Sequence, residues 1–158
     1  MQKEFWSLFK TYQVSSINGV PYTYEMLDKL RVYRMELPSL RLMTQAGGKL
    51  SIELQKKLAH YANETNKSFI VMYGQTEATA RISYLPIEKA LEKCGSIGVA
   101  IPNGKIELMD EQGFTIEQPY TAGELVYIGE NVCLGYAECG NDLAIGDTWQ
   151  GKLWTGEI

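Results

Sequence analysis

The sequence has 158 residues, of which 45% are apolar, so it is long enough and apolar enough to fold around a core of about one domain. Its formal net charge of -4 argues against a nucleic-acid partner, because nucleic-acid-binding surfaces are usually basic. It contains no apolar run of about 18 residues, the minimum for a membrane span.

The cysteines and the histidine limit the kinds of site that the chain can build. Cys94, Cys133 and Cys139 are odd in number and form no Cys-x-x-Cys pair, so we expect neither a zinc site nor a disulfide framework. His60 is the only histidine, which leaves little for a catalytic triad or a histidine-based metal site. The residues before 7 lack the apolar core and cleavage site of a signal peptide. These features predict a reducing, cytoplasmic location.

Helical and strand patterns alternate over the first ninety or so residues. Apolar spacing predicts three helices: at 5–12, from an N-cap at Thr23 to Leu37, and after an N-cap at Ser51. Strands are predicted at 14–20, 40–44, 68–73 and 79–85. Since strand, helix and strand follow one another and the strands are almost continuously apolar, we expect a βαβ unit whose sheet is covered on both sides.

After about residue 95 the pattern changes to short strands and glycine turns. Residues 105–109 and 124–128 are predicted to pair around a polar turn at 110–113, and a further strand is predicted at 151–155. The chain as a whole is therefore predicted to be α/β, with a small β-rich subdomain beside the layered one.

The most informative stretch is Tyr73-Gly74-Gln75-Thr76-Glu77, which directly follows the apolar run at 69–72. Ligands of parallel sheets bind at the carboxyl ends of strands, where this stretch is expected to lie. The ring can stack on a base, the hydroxyl can bond a phosphate oxygen, and the carboxylate can hold a hard cation such as Mg²⁺. The alternative is a solvated turn with Tyr73 half buried at its rim.

Several segments, taken in order, resemble the adenylate-forming (AMP-binding) superfamily of acyl-CoA synthetases, aryl-CoA ligases, luciferases and peptide-synthetase adenylation domains. Residues 73–77 match its YGxTE motif, and the other matching segments are 45–50, 95–102, 123–136 and 154–157. The resemblance implies an α/β subdomain at 1–95 that carries the YGxTE motif. It also implies a small β-rich, distorted barrel-like subdomain at 96–158.

The resemblance also implies a reaction. A small-molecule carboxylic acid attacks the α-phosphate of ATP to give acyl-AMP and pyrophosphate, and a thiol, expected to be coenzyme A, then takes the acyl group. By this comparison Tyr73 stacks on adenine, Thr76 donates its hydroxyl to the α-phosphate, and Glu77 ligates Mg²⁺. Thr76 and Glu77 are the predicted catalytic residues.

The remaining predicted ATP/AMP contacts are Gly47, Gly48, Val71, Met72, Gly74 and Glu157. Glycines at 47 and 48 allow a backbone to approach a ligand closely, and they equally suit a turn between a strand and a helix. Val71 occupies a position where the family's backbone contacts the adenine amine, although a packing role fits it equally well. Glu157 stands where the family has a ribose-binding aspartate; either the backbone adapts to the longer side chain or ribose binding is weaker.

The family's phosphate-gripping loop and its small C-terminal domain have no counterpart in the sequence. By resemblance the chain is an internal fragment of the family's large N-terminal domain, and we expect it to be inactive alone. We also expect it to self-associate through apolar surface and open sheet edges. The alternative is a non-catalytic truncated relative that serves as a weak nucleotide-binding or interaction module.

Overall fold

The computed structural model describes residues 3–158, which form two compact units. The first unit comprises the residues up to Tyr73 together with Tyr84–Gly98, and the second comprises Gly74–Ser83 together with Val99–Ile158. Most of the motif segment therefore belongs to the second unit. The domain boundary near residue 95 stays a prediction.

The first unit contains three parallel strands and three helices. These are α1 (Lys3–Thr11), β1 (Ser16–Gly19), α2 (Pro21–Lys29), β2 (Leu42–Gln45), α3 (Ile52–Glu64) and β3 (Ser68–Tyr73), with 3₁₀ turns at Val32–Arg34 and Ile87–Lys89. Strand β2 lies between β1 and β3, with Gln45 opposite both Gly19 and Val71. The predicted α/β class and the predicted βαβ unit are confirmed.

The second helix differs from the one that its apolar spacing predicts. It begins at Pro21 with Val20 as N-cap, because proline lacks the N–H that the first helical turn leaves unpaired and its φ already suits a helix. It ends at Lys29, and Arg31 then adopts a left-handed φ of 56°. The predicted N-cap at Thr23 and the predicted extension to Leu37 are therefore wrong, whereas Ser51 caps α3 as predicted, accepting a hydrogen bond from the Leu54 N–H at 3.3 Å.

The core of the first unit packs around Tyr24 on α2. Tyr24 is fully buried and its ring contacts Phe69 of β3 edge-on, with 5.5 Å between the ring centroids. Its hydroxyl lies 2.7 Å from the carbonyl oxygen of Thr44 and 3.2 Å from that of Ile17. Burial raises the pKa of Tyr24, so the hydroxyl stays protonated and donates to the sheet. One side chain thus links α2 to both β1 and β2.

The second unit is built on an antiparallel sheet of β6 (Lys105–Met109), β7 (Glu124–Ile128) and β8 (Lys152–Trp154), with β7 in the middle. This unit also contains the two-residue strand β5 (Val99–Ala100) and 3₁₀ turns at Thr76–Ala78 and Gly140–Ala144, while the two-residue strand β4 (Ser83–Tyr84) lies where the chain passes from the second unit to the first. The β6 and β7 pairing is confirmed, but the turn after β6 pairs Met109 with Thr115 instead of leading directly into β7. Among the described residues this sheet stays open and forms no closed barrel.

The strand predicted at 79–85 is mostly absent. Residues Thr76–Ala78 form a 3₁₀ turn, and Thr79 and Ala80 follow it with left-handed φ values of 47° and 68°. Two successive left-handed residues turn the chain sharply, so only Ser83 and Tyr84 are left in a strand.

None of the helices described between residues 3 and 158 could cross a membrane. The longest, α3, has 13 residues, whereas a membrane span needs about 20.

We predict that Tyr24→Phe lowers the free energy of unfolding by about 1–2 kcal/mol, because it leaves the carbonyl groups of Thr44 and Ile17 without their buried donor. Tyr22→Phe on the same helix is the matched control, since Tyr22 is 66% exposed and should change stability by less than about 0.5 kcal/mol. Urea unfolding followed by circular dichroism measures both. Equal stability of the two variants would contradict the role of the hydroxyl.

Candidate functional site

The predicted site residues of the first unit lie at one edge of its parallel sheet. Gly47 and Gly48 follow the carboxyl end of β2, and Val71, Met72 and Tyr73 form the end of β3, its neighbour. Both glycines have positive φ, at 77° and 148°, and the Gln45 side-chain amide donates to the Gly48 carbonyl at 2.8 Å. This backbone requires glycine whether or not a ligand binds, so the turn role is established and the ligand role stays a prediction.

In the second unit, Gly74 is fixed by a close approach of the backbone. A Cβ at this position would lie 2.5 Å from the carbonyl oxygen of Ala80 and 2.9 Å from the nitrogen of Arg81. Its φ is not left-handed, so space is the reason for glycine here. The glycine lets the chain fold back on itself around Thr76 and Glu77.

Hydrogen bonds from distant parts of the second unit hold this turn. The Gln75 side-chain amide donates to the Thr155 carbonyl at 3.0 Å, and the Cys133 N–H donates to the Glu77 carbonyl at 2.8 Å. Segments about 80 and 56 residues away in sequence therefore set the position of the motif.

The Glu77 carboxylate is paired with a tyrosine. The Tyr136 hydroxyl donates to Glu77 Oε1 at 2.7 Å, and the ring of Tyr136 meets Trp149 edge-on with centroids 4.9 Å apart. The hydrogen bond from Tyr136 lowers the pKa of Glu77, with a further contribution from a backbone hydrogen bond. The Glu77 carboxylate therefore stays ionised to lower pH than an ordinary glutamate.

An open cleft of about 610 Å³ lies over these groups. Its lining consists of Gly74–Glu77, Tyr136, Trp149 and Lys152–Thr155. The volume lies within the range of about 300–1,000 Å³ of small-molecule sites. Lys152 Nζ lies 5.0 Å from the centroid of the Trp154 ring, so the cleft carries a cation and aromatic rings as well as the hydroxyl of Thr76 and the carboxylate of Glu77.

Glu157 is exposed and is not among the residues that line the cleft. Its N–H donates to the Thr155 hydroxyl at 3.3 Å, and its carbonyl accepts from the Leu125 N–H at 2.9 Å. The segment after β8 is therefore tied to β7 through its backbone. The structure brings Thr155 into the cleft together with Thr76 and Glu77, and Glu157 lies outside it.

Sequence reasoning missed the cleft residues that come from far along the chain. Tyr136 and Trp154 were noticed only as parts of family motifs, and Gln75 only as a variable position between motif residues. Trp149 and Lys152 gave no signal at all, because their proximity to Glu77 follows from the tertiary fold. Only the family resemblance of the segment at 123–136 could have drawn attention to Tyr136.

The donor set fits a magnesium nucleotide. Between residues 3 and 158 there is no cluster of three or more histidine, cysteine or acidic side chains that could hold a metal by itself. Mg²⁺ commonly binds through one or two carboxylates with substrate phosphates and water completing its shell, and the single carboxylate of Glu77 suits that arrangement.

Comparisons with known proteins identify the class. The family model described as AMP-binding enzyme matches residues 1–137, so the chain belongs to the AMP-binding enzyme family. It is 32% identical over 112 residues to 4-hydroxybutyrate–CoA ligase 1 of Metallosphaera sedula, covering 71% of this chain and 19% of that protein. It is 33% identical over 136 residues to the 2-succinylbenzoate–CoA ligase of Bacillus pumilus, covering 84% of this chain and 26% of that protein.

The solved structures agree with the fold. The O-succinylbenzoate coenzyme A synthetase of Bacillus subtilis in complex with ATP and a magnesium ion matches 97% of this chain and 30% of its own, with a TM-score of 0.75 and 25% identity. The chain thus spans well under two thirds of the length of these ligases. The predicted family and the α/β fold class are confirmed.

We predict that Tyr136→Phe raises the pKa of Glu77 toward its ordinary value, since it removes the hydrogen bond that stabilises the carboxylate. In the parent chain the pKa of Glu77 is lower in the folded state than in the unfolded state. Ionised Glu77 therefore stabilises the fold at pH values above the unfolded-state pKa. That contribution is lost as the pH falls through the lower folded-state value. A ¹³C NMR titration of the glutamate carboxyl groups of the metal-free chain measures the change.

The control for this titration is Tyr120→Phe, because Tyr120 is fully exposed. In the Tyr120→Phe variant, the titration of Glu77 should match that of the parent chain. An unchanged Glu77 midpoint in Tyr136→Phe would rule out this hydrogen bond as the cause of the lowered pKa.

Proposed function

We propose that the chain forms the adenine, α-phosphate and Mg²⁺ side of the active site of an ATP-dependent acyl-activating ligase. The ligase joins a small carboxylic acid to AMP, releases pyrophosphate and then forms a thioester with coenzyme A. The observation that carries the proposal is the Thr76 hydroxyl and the ionised Glu77 carboxylate together in one cleft with Tyr136 and Lys152. The likeness to coenzyme A ligases supports the reaction type.

Each group has a chemical task in this proposal. Thr76 is exposed and can donate to the α-phosphate, and Glu77 would hold Mg²⁺, whose charge offsets that of the phosphates. By the family resemblance, Tyr73 would stack on adenine, and Gly47, Gly48, Val71, Met72 and Gly74 would be further ATP/AMP contacts. Glu157 would reach the ribose hydroxyls by a small movement of the last residues, because its carboxylate lies outside the cleft lining.

The same residue roles bear on the activity of the chain alone and on its location in the cell. The chain alone would be inactive, since by family resemblance the groups that grip the outer phosphates and assist adenylation are not among its residues. We assign it to the cytoplasm, where ATP and coenzyme A are available and free thiols such as its cysteines stay reduced.

The position of Glu157 favours one alternative function, that of a non-catalytic relative that binds nucleotide weakly.

We predict that Thr76→Val and Glu77→Gln each weaken binding of Mg·ATP by roughly 10- to 100-fold, because each removes a contact to a charged phosphate or to Mg²⁺. Amide chemical shifts of the ¹⁵N-labelled chain during an Mg·ATP titration give the affinity and should move at Gly74–Glu77 and Tyr136. Thr121→Val and Glu111→Gln are matched surface controls and should bind like the parent. If both site variants bind Mg·ATP with the affinity of the parent chain, the roles assigned to Thr76 and Glu77 are wrong.

A second measurement separates the ligase from the alternative. In the complete ligase the same two variants should lower ATP–pyrophosphate exchange by at least the same factors, with little change in thermal stability. If the complete, unsubstituted protein binds Mg·ATP but shows no exchange, the non-catalytic module is favoured. Exchange by the present chain alone at the rate of complete family members would contradict its proposed inactivity.

We also propose that a second copy of the chain covers an apolar edge of the first unit. Phe5, Leu8 and Tyr12 of this unit are 40%, 54% and 74% exposed and line a groove together with Ser16–Asn18 of β1. Strand β1 is the end strand of its sheet, and an open strand edge next to apolar surface favours pairing with another chain.

Light scattering at increasing concentration should therefore show dimers or larger species, and Leu8→Lys should reduce them. Leu143→Lys is the control, because Leu143 is a similarly exposed leucine of the second unit, at 79%. A monomer at all concentrations, or equal effects of the two variants, would contradict this surface.

A further inference from the structure

The turn that carries Thr76 and Glu77 contains two strained residues, although backbone hydrogen bonds such as Ala80 N–H to the Gln75 carbonyl at 3.0 Å close it from within. Thr79 and Ala80 both have left-handed φ values, 47° and 68°, although neither is glycine. Each such residue costs of order 1 kcal/mol or more and persists only where its surroundings impose it. A group outside the turn that bonds to its carbonyls would add to these backbone bonds in imposing the conformation.

Asn131 supplies that group. Its side-chain Nδ2 donates to the carbonyl of Ala78 at 2.6 Å and to that of Arg81 at 2.9 Å, on the two sides of the left-handed pair. Its Oδ1 accepts from the Tyr127 hydroxyl at 2.7 Å, which fixes the orientation of the amide, and its main-chain carbonyl accepts from the Thr79 hydroxyl at 3.3 Å. One residue thus spans the whole reversal.

The residues that hold Asn131 in place are buried. Tyr127 is fully buried in β7, the central strand of the antiparallel sheet, and Val132, next to Asn131, is 8% exposed. Asn131 does not line the cleft, so it cannot act on a ligand directly. Any effect it has on binding must pass through the turn.

We propose that Asn131 is a positioning residue of the site: it holds the turn at 76–81 so that the Thr76 hydroxyl and the Glu77 carboxylate face the cleft. The inference rests on the proposed function for what the two groups bind, but the conformation it concerns exists without ligand. An asparagine is needed because the position requires two N–H donors toward carbonyls and one acceptor toward a hydroxyl, a combination that an aspartate of the same shape lacks.

Asn131→Asp is the direct test, because it keeps the size of the side chain and points oxygen instead of N–H at two carbonyl oxygens. We expect the NMR couplings and chemical shifts of Thr79 and Ala80 to lose their positive-φ signature in the ligand-free chain. We also expect the Mg·ATP dissociation constant to rise about tenfold. Asn141→Asp, an exposed asparagine in the same unit, should leave both unchanged.

A merely structural role gives a different result. Asn131→Asp would then lower the urea midpoint, while the folded population kept the positive-φ signature and the parental affinity, and this would overturn the proposal. Tyr127→Phe serves if Asn131→Asp does not fold, because it keeps both Nδ2 bonds and removes only the anchor of Oδ1. A partial loss of the signature and a several-fold weaker affinity would support the proposal, and parental values would overturn it.

The proposed function and the positioning role of Asn131 can be contradicted independently of each other. If the parent chain does not bind Mg·ATP at all, the proposed function fails, and the positive-φ signature in Asn131→Asp still decides whether Asn131 holds the turn.

Discussion

The parallel pairing of β2 with β3 is the constraint on which the predicted site residues of the first unit depend. The register sets Gln45 opposite Val71, so the glycine turn after β2 and the end of β3 lie at the same sheet edge. The buried residues Met43 and Phe69 fix both strands on the helical layer. A slip of one residue would turn these side chains out of the core, which makes the register hard to change.

The cleft of the second unit depends on bonds between distant segments. Thr76 and Glu77 occupy a short turn whose local conformation is unfavourable, and the bonds to Thr155 and Asn131 compensate for it. The site groups therefore take their positions only when the β6–β8 region is folded. The same region contributes Tyr136, whose hydrogen bond lowers the pKa of Glu77, so the conformation and the titration of the cleft groups depend on the same segment.

Regular elements with strong local signals were predictable. Strand β3 matches its predicted bounds and Ser51 caps α3, because the apolar pattern and the capping hydroxyl act over a few residues. The long second helix and the strand at 79–85 were wrong for a shared reason. In both places a left-handed residue, Arg31 or Thr79, lies within the predicted element and breaks its regular conformation, and nothing local in the sequence marks it.

The sequence by itself determined the family, the α/β class and the identity of the groups in the motif at 73–77, because these are encoded in short stretches of residue types. Tertiary structure alone decided that Tyr136 hydrogen-bonds the Glu77 carboxylate, that Asn131 holds the turn, and that Lys152 shares the cleft. It also decided that Glu157 lies outside the cleft lining. The physical reason is distance along the chain: these relations join residues about 50–80 positions apart, and only the packed sheet of the second unit brings them together.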